Sequence, residues 1–251
     1  MSETSAEFPV VLEACRAVLG GGKSIEKVAD EYTYASLPLC VIDSVFSIGV
    51  RYEGVRNVLE RYCAFAGVPR LSPTRTVPPR AQQQSITAFL QLAIAFDAER
   101  LAVEVFGNRQ RTSARSGILK ADAVVRFAGV LARHRIECLQ DVLESQGLAS
   151  VERDVRTIPG QSSGLSWRYF LMLAGREDLV KPDRMILRFL ERTLRRSVSP
   201  DEAQALLRAA ADALGREFPG LTARTLDNLI WAEERSRPSA GRGAGAVGGG
   251  F

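Results

Sequence analysis

"IPGQSSGLSWRYFLMLAGREDLVKPDRMILRF", residues 158–189, is an apolar helical pattern framed by two interruptions. A short Pro-Gly-Ser loop precedes it, and a Lys-Pro-Asp-Arg turn at residues 181–184 breaks it before a further helix begins. Apolar residues spaced three and four apart mark helix rather than strand, and the prolines and glycines mark the breaks. Working outward, nearly every segment shows the same period. "FPVVLEACRAVLGGG" ends on glycines suited to a left-handed C-cap, and "SIEKVADEY" follows with Ser24 as an N-cap. "LCVIDSVFSIG" and "EGVRNVLERYCAFAG" read as two helices joined near Gly49 to Tyr52, before an exposed Pro- and Arg-rich loop. Helices resume with "SITAFLQLAIAF", "AERLAVEVFG", "ILKADAVVRFAGVLARH" and "IECLQDVLESQG". In "VSPDEAQALLRAAADALGREF", Ser199 can cap, Pro200 fits the first helical position, and Asp201 and Glu202 suit the positive helix end. "LTARTLDNLIWAEER" closes the pattern, and no run alternates as a strand would. The expected fold class is all-α.

With 46% hydrophobic residues, the 251-residue chain can fill one large core or two small ones. Its net charge of +4 permits nucleic-acid binding without requiring it. No stretch approaches the roughly 18 apolar residues of a membrane span, and "MSETSAEF" has no secretory n-region. The reading is a cytoplasmic protein, with activity at the bacterial nucleoid if DNA is its partner. Cys15, Cys40, Cys63 and Cys138 lack metal-site spacing, so buried reduced thiols are expected, with no metal and no cofactor. "SRPSAGRGAGAVGGGF", residues 236–251, is low-complexity sequence expected to be disordered.

Two features of the opening stretch carry chemistry. In "IPGQSSG", glycines and small hydroxyl residues let backbone N–H groups face outward at the start of the next helix, an arrangement that binds phosphate. A plain helix–helix turn reads the same way. Asp183, just behind Pro182, is an N-cap by position. Together they form a Pro-Gly turn, an apolar helix ending at Gly175, a short connection, and then Asp with Arg188 five residues later.

That combination resembles the helix–hairpin–helix base-excision DNA glycosylases, whose hairpin has the form L-P-G-x-G and precedes a catalytic Asp. Ile158-Pro159-Gly160 match the hairpin entry, Asp183 the catalytic position, and Arg188-Phe189 the Arg-apolar pair after it. Weaker similarity extends from about Leu37 to Glu234, through "VIDSVFSIGVRYEGV", "RTSARSGILKADAVVRFAGVL" and "TARTLDNLIWAEE". Ser162 replaces the second hairpin glycine. Gly164 lies where bifunctional members keep a Schiff-base lysine, and Lys181 lies in the wrong segment to replace it.

The resemblance implies two helical bundles with a cleft between them. Residues 1–35 would pack with 182–235 as one subdomain, and residues 36–181 would form a six-helix bundle ending in the helix–hairpin–helix. It also implies a monofunctional enzyme, acting as a monomer on double-stranded DNA. Such an enzyme flips out a base and breaks its N-glycosidic bond through an oxocarbenium-like sugar. Asp183 would stabilise that charge or activate water. Gly160, Gln161, Ser162, Ser163, Gly164, Ser166 and Arg188 would hold DNA. Ser47, Ile48, Gly49, Val50, Arg51 and Tyr52 would form the flipping wedge, with Trp167 or Tyr169 lining a base pocket. Arg109, Arg111 and Arg115 could meet phosphates or be a solvated basic face, and His134 would sit on a polar helix face. The excised base stays open among alkylated purines, deaminated or oxidised bases, and bulky modified cytosines. Some distant members of this superfamily act in phage defence on hypermodified bases such as glucosylated hydroxymethylcytosine. A non-catalytic helix–hairpin–helix DNA-binding module and an all-α interaction protein unrelated to DNA are the competing readings.

Overall fold

The computed structural model describes residues 3–21, 33–50, 52–74, 76–114, 117–145 and 147–237. The helix expected from Ser24, Arg51, Arg115 and the tail beyond residue 237 lie outside them. The described chain is all-α, with two isolated bridges, Tyr34 to Leu71 and Arg111 to Leu119, as its extended pairings. None of its helices is long and apolar enough to cross a membrane.

Among the described residues twelve α-helices follow in order: α1 Glu3–Leu19, α2 Leu37–Phe46, α3 Tyr52–Ala66, α4 Ile86–Ala93, α5 Ala98–Arg100, α6 Lys120–Arg133, α7 Leu139–Leu143, α8 Ala149–Arg156, α9 Leu165–Leu173, α10 Arg184–Leu194, α11 Pro200–Leu214 and α12 Ala223–Ser236. Their starts follow side-chain chemistry. Ser85 accepts the Ala88 amide at 3.0 Å, Ser199 that of Glu202 at 3.2 Å, and Thr222 that of Thr225 at 3.1 Å. Two expected helices are shorter or altered. "AERLAVEVFG" makes a single α-helical turn and then a π-turn over Leu101–Val105, where the wider i→i+5 bond closes from Phe106 to Leu101. "IECLQDVLESQG" is helical only over Leu139–Leu143.

Two apolar cores result. The first gathers buried residues from Tyr34 to Ala174, with α2 at its centre against α6 and α9; all ten residues of α2 are buried. The second joins Val11, Cys15 and Leu19 of α1 to Val180 and to the apolar faces of α10, α11 and α12. The connection from Ala174 to Asp183 runs between them. Gln204 of α11 holds it by accepting the Val180 amide at 2.8 Å and donating to Asp178 O at 3.0 Å.

Lys120, at the start of α6, fastens the end of α2. Its Nζ donates to Phe46 O at 2.9 Å and Ile48 O at 2.8 Å, meeting carbonyls that a helix C-terminus leaves unpaired. Burial, and then the nearby Lys181 charge, pull this ammonium down to about 8. Lys120→Met should strip both carbonyls of their donor and cost about 1–3 kcal/mol, read by urea denaturation. Correlation NMR of the Lys120 Nζ should show the wild-type amine titrating near 8.

Candidate functional site

The loop that Lys120 fastens, residues 47–50, forms one wall of a pocket of about 720 Å³. Leu165, Lys181, Asp183, Arg184, Trp231 and Arg235 supply other walls, so both cores contribute. A smaller recess of about 90 Å³ shares Ser47, Val50, Lys181, Asp183 and Trp231 and adds Val55, Tyr169, Asp227 and Asn228.

Asp183 stands at the junction because of its local sequence. Pro182 halts the preceding chain, and Asp183 caps α10 in extended conformation, with Oδ1 accepting the amides of Met185 at 2.8 Å and Ile186 at 3.3 Å. The helix N-terminus adds a positive field that favours the anion. Oδ2 has no hydrogen-bond partner among the described residues and belongs to a side chain that lines both cavities.

Beside Asp183 lies a charge cluster of two buried carboxyls around a partly buried lysine. The Lys181 ammonium sits 3.4 Å from the centroid of the Tyr169 ring, a cation–π contact. Burial drags it below the ordinary lysine range, while the charges of Asp43, Asp183 and Asp227 push it back up. Asp43, in the middle of α2, is fully buried and accepts Tyr34 Oη at 2.7 Å and Ser47 Oγ at 2.5 Å. Burial raises its pKa, against hydrogen bonds from Ser47 and Tyr34 and the charge of Lys181. Asp227, 5% exposed on α12, accepts the Lys181 amide at 3.1 Å. Burial first and the neighbouring Asp183 second lift it well above the carboxylate range.

The hairpin is built as expected in outline and differs in detail. Gly160 and Gly164 take φ of +84° and +72°, and a Cβ on Gly160 would lie 2.4 Å from Thr112 Cβ, so glycine is required there. The amides of Gln161 and Gly164 turn inward to Ile158 O and Gln161 O, at 2.9 and 3.0 Å. Gln161 and Ser166, expected to hold DNA, are buried and hydrogen-bonded to each other through Oε1 and Oγ. They brace the turn instead. Ser162 and Ser163 remain exposed, with Ser162 O accepting Arg156 Nε at 2.9 Å.

Trp167 also departs from expectation. It stacks on Phe170 at 5.4 Å and lies 6.0 Å from Phe127, 2% exposed inside the first core. With Phe170, Leu171 and Ala174 it completes a helical apolar stripe, and the pocket takes Tyr169 and Trp231 as its aromatics. Arg188 is exposed on α10 and outside the pocket lining. Ser47, Ile48 and Gly49 do line it, while Tyr52 starts the backbone of α3. Arg109 pairs with Glu99, and Arg111 donates to Gly117 O at 2.9 Å. His134 ends α6 against Asp154 at 2.8 Å.

A family model, described as a domain of unknown function and designated DUF8548, matches residues 10–235. The chain belongs to the DUF8548 family. No curated protein and no solved structure matches it. The matched stretch takes in the whole charge cluster of this DUF8548 chain and every residue lining its two cavities.

Asp43, Asp227, Asn228 and Trp231 escaped the sequence reading of this DUF8548 chain. The signal was present for two of them: a carboxylate in the apolar run "LPLCVIDSVF", and another on the apolar face of α12 between Ala223 and Ile230. Buried unpartnered carboxylates are costly, so both positions ask for a counter-ion. Lys181→Met removes it. This substitution should cost about 3–5 kcal/mol in thermal or urea unfolding, and adding Asp43→Asn should recover part of the loss by relieving one uncompensated charge.

Proposed function

We propose that the chain is a monofunctional DNA glycosylase that flips a damaged or modified base from double-stranded DNA and hydrolyses its N-glycosidic bond. The observation that carries this reading is Asp183, an N-capping carboxylate that follows a Pro-Gly hairpin and opens onto a pocket also lined by loop 47–50. A pocket of about 720 Å³ has room for a nucleotide.

In this reading the target base enters beside Tyr169 and Trp231, and Ile48 of the loop fills the gap it leaves in the stack. As the C1′–N bond lengthens, positive charge grows on the sugar, and the Asp183 anion stabilises it or takes a proton from the attacking water. The two amides of the α10 N-terminus fix the direction of the Asp183 side chain, and the helix end supplies a positive field there. Exposed Ser162 and Ser163, with Gly160 and Gly164 shaping their turn, offer the hairpin's contact to phosphate. Lys181 serves as the counter-ion of the buried carboxyls, covered by the Tyr169 ring, so no imine step is assigned to it. No cofactor is needed, and a single copy contains every residue invoked.

A non-catalytic DNA-binding module is the second reading, favoured by the inward-turned hairpin amides. One experiment separates the two. Wild type and Asp183→Asn are incubated with duplexes carrying alkylated, deaminated or oxidised bases, and with DNA containing glucosylated hydroxymethylcytosine. Alkali then cuts any abasic sites. Wild type should yield breaks on one class, and Asp183→Asn should lower their rate at least ~100-fold while binding persists. Salt-dependent binding without breaks establishes the binding module. Absence of both removes DNA as the partner.

A further inference from the structure

Three carboxyl groups, those of Asp43, Asp183 and Asp227, surround the single Lys181 ammonium beneath the pocket. Each is supported differently. Asp183 receives two backbone amides at a helix N-terminus, and Asp43 receives the hydroxyls of Tyr34 and Ser47, which work against the burial that raises it. Asp227 is served on Oδ1 by one amide, that of Lys181, at 3.1 Å, and is 5% exposed. Arg224, on the same helix, is paired with Glu177 at 3.6 Å. Lys120, close to Lys181, is held by the Phe46 and Ile48 carbonyls. Three acids therefore share one close ammonium, with Arg224 as a further charge acting on Asp227, in a desolvated place where an excess anion is costly. A proton settles on the carboxyl least supplied with donors, which is Asp227. The direction of its titration agrees: burial and the Asp183 charge raise it, against Lys181 and Arg224.

We propose that Asp227 is the second catalytic carboxyl of this site, donating a proton to the departing base while Asp183 remains the anion beside the sugar. This rests on the glycosylase reading above. Both carboxyls line the same recess, and Asp227 shares it with Tyr169, Asn228 and Trp231. Two carboxyls in one recess with unlike surroundings, one capping a helix through two amides and one buried with a single amide, divide acid and base roles. The C1′–N bond breaks with its electron pair going to the base, which takes the Asp227 proton and leaves neutral. Water forms the new C1′–O bond and gives its proton to Asp183; that proton passes to solvent, from which Asp227 is reprotonated. The net change is the addition of one water across the glycosidic bond. An acid at this point is useful for bases that are neutral before cleavage, and adds little for a base already cationic. The substrate class is accordingly a neutral base.

Two measurements test this. The first needs no substrate: infrared difference spectra of protein labelled with ¹³C at aspartate carboxyls, wild type minus Asp227→Asn, at neutral pH. The expected loss is a protonated-carboxyl band; loss of a carboxylate band overturns the proposal. Asn at 227 keeps an oxygen for the Lys181 amide, and Asp183→Asn gives an independent variant in which the Asp227 proton should leave at lower pH. A titration unmoved by Asp183→Asn also counts against the pair.

The second is single-turnover release of hypoxanthine, neutral, and 7-methylguanine, cationic, from duplex DNA. Asp227→Asn should slow the first by about 10²–10⁴-fold and the second by less than about 10-fold, whereas Asp183→Asn slows both. Equal slowing by Asp227→Asn overturns the acid role alone. No release by wild type from either duplex overturns, for these bases, the glycosylase reading beneath it.

Discussion

One partly buried ammonium, that of Lys181, ties the molecule together. Lys181 lies on the connection between the two apolar cores, and its partners come from both: Asp43 and Tyr169 from the first, Asp227 from the second. Its backbone amide is committed to Asp227 as well. Apolar packing makes each core but does not orient one against the other, because dispersion is without direction. Charges taken out of water are directional and intolerant of loss, so this cluster sets the register in which helices α2, α9, α10 and α12 meet.

The pocket follows from that register. Its walls belong to different cores, and its carboxylates differ in character because of where each helix places them. Asp183 sits at a helix start on the wall of the larger pocket; Asp227 lies within a helix on an apolar face. The Lys120 clamp on the end of α2 completes the opposing wall by holding the Phe46 carbonyl before loop 47–50 and the Ile48 carbonyl within it. A polar cluster of this sort contributes less to net stability than to a defined geometry, which is what a chemical site requires.

Helix class was legible because periodicity is local: "SPDEAQALLRAAADAL" carries its cap, its proline and its apolar face within one window, and Ser199 caps as its position suggests. Asp183 as a cap was legible for the same reason. The π-turn at Leu101–Val105 was not, since it differs from an α-turn by one hydrogen-bond register and leaves the apolar pattern intact. Gln161 and Ser166 read as surface loop chemistry because polar small residues near glycine usually are; that they satisfy each other indoors depends on how the turn seats, with Gly160 close against Thr112. Trp167 and Trp231 show the same limit, for which aromatic faces a cavity depends on how the cores meet. Sequence alone places Asp227 on the apolar side of α12, but its partner Lys181 lies 46 residues away.

The double engagement of Asp183 bears on how this chain can drift. Functional groups are commonly held in settings that weaken the fold, so that losing them makes a protein sturdier. Here the carboxylate that faces the pocket also closes the first turn of α10 through two amides. Its loss to a residue that cannot cap removes about 0.5–2 kcal/mol of helix support along with the charge. Selection for a well-folded chain and selection for an intact pocket therefore press on this position in the same direction, and Asn is among the few replacements by which they part company.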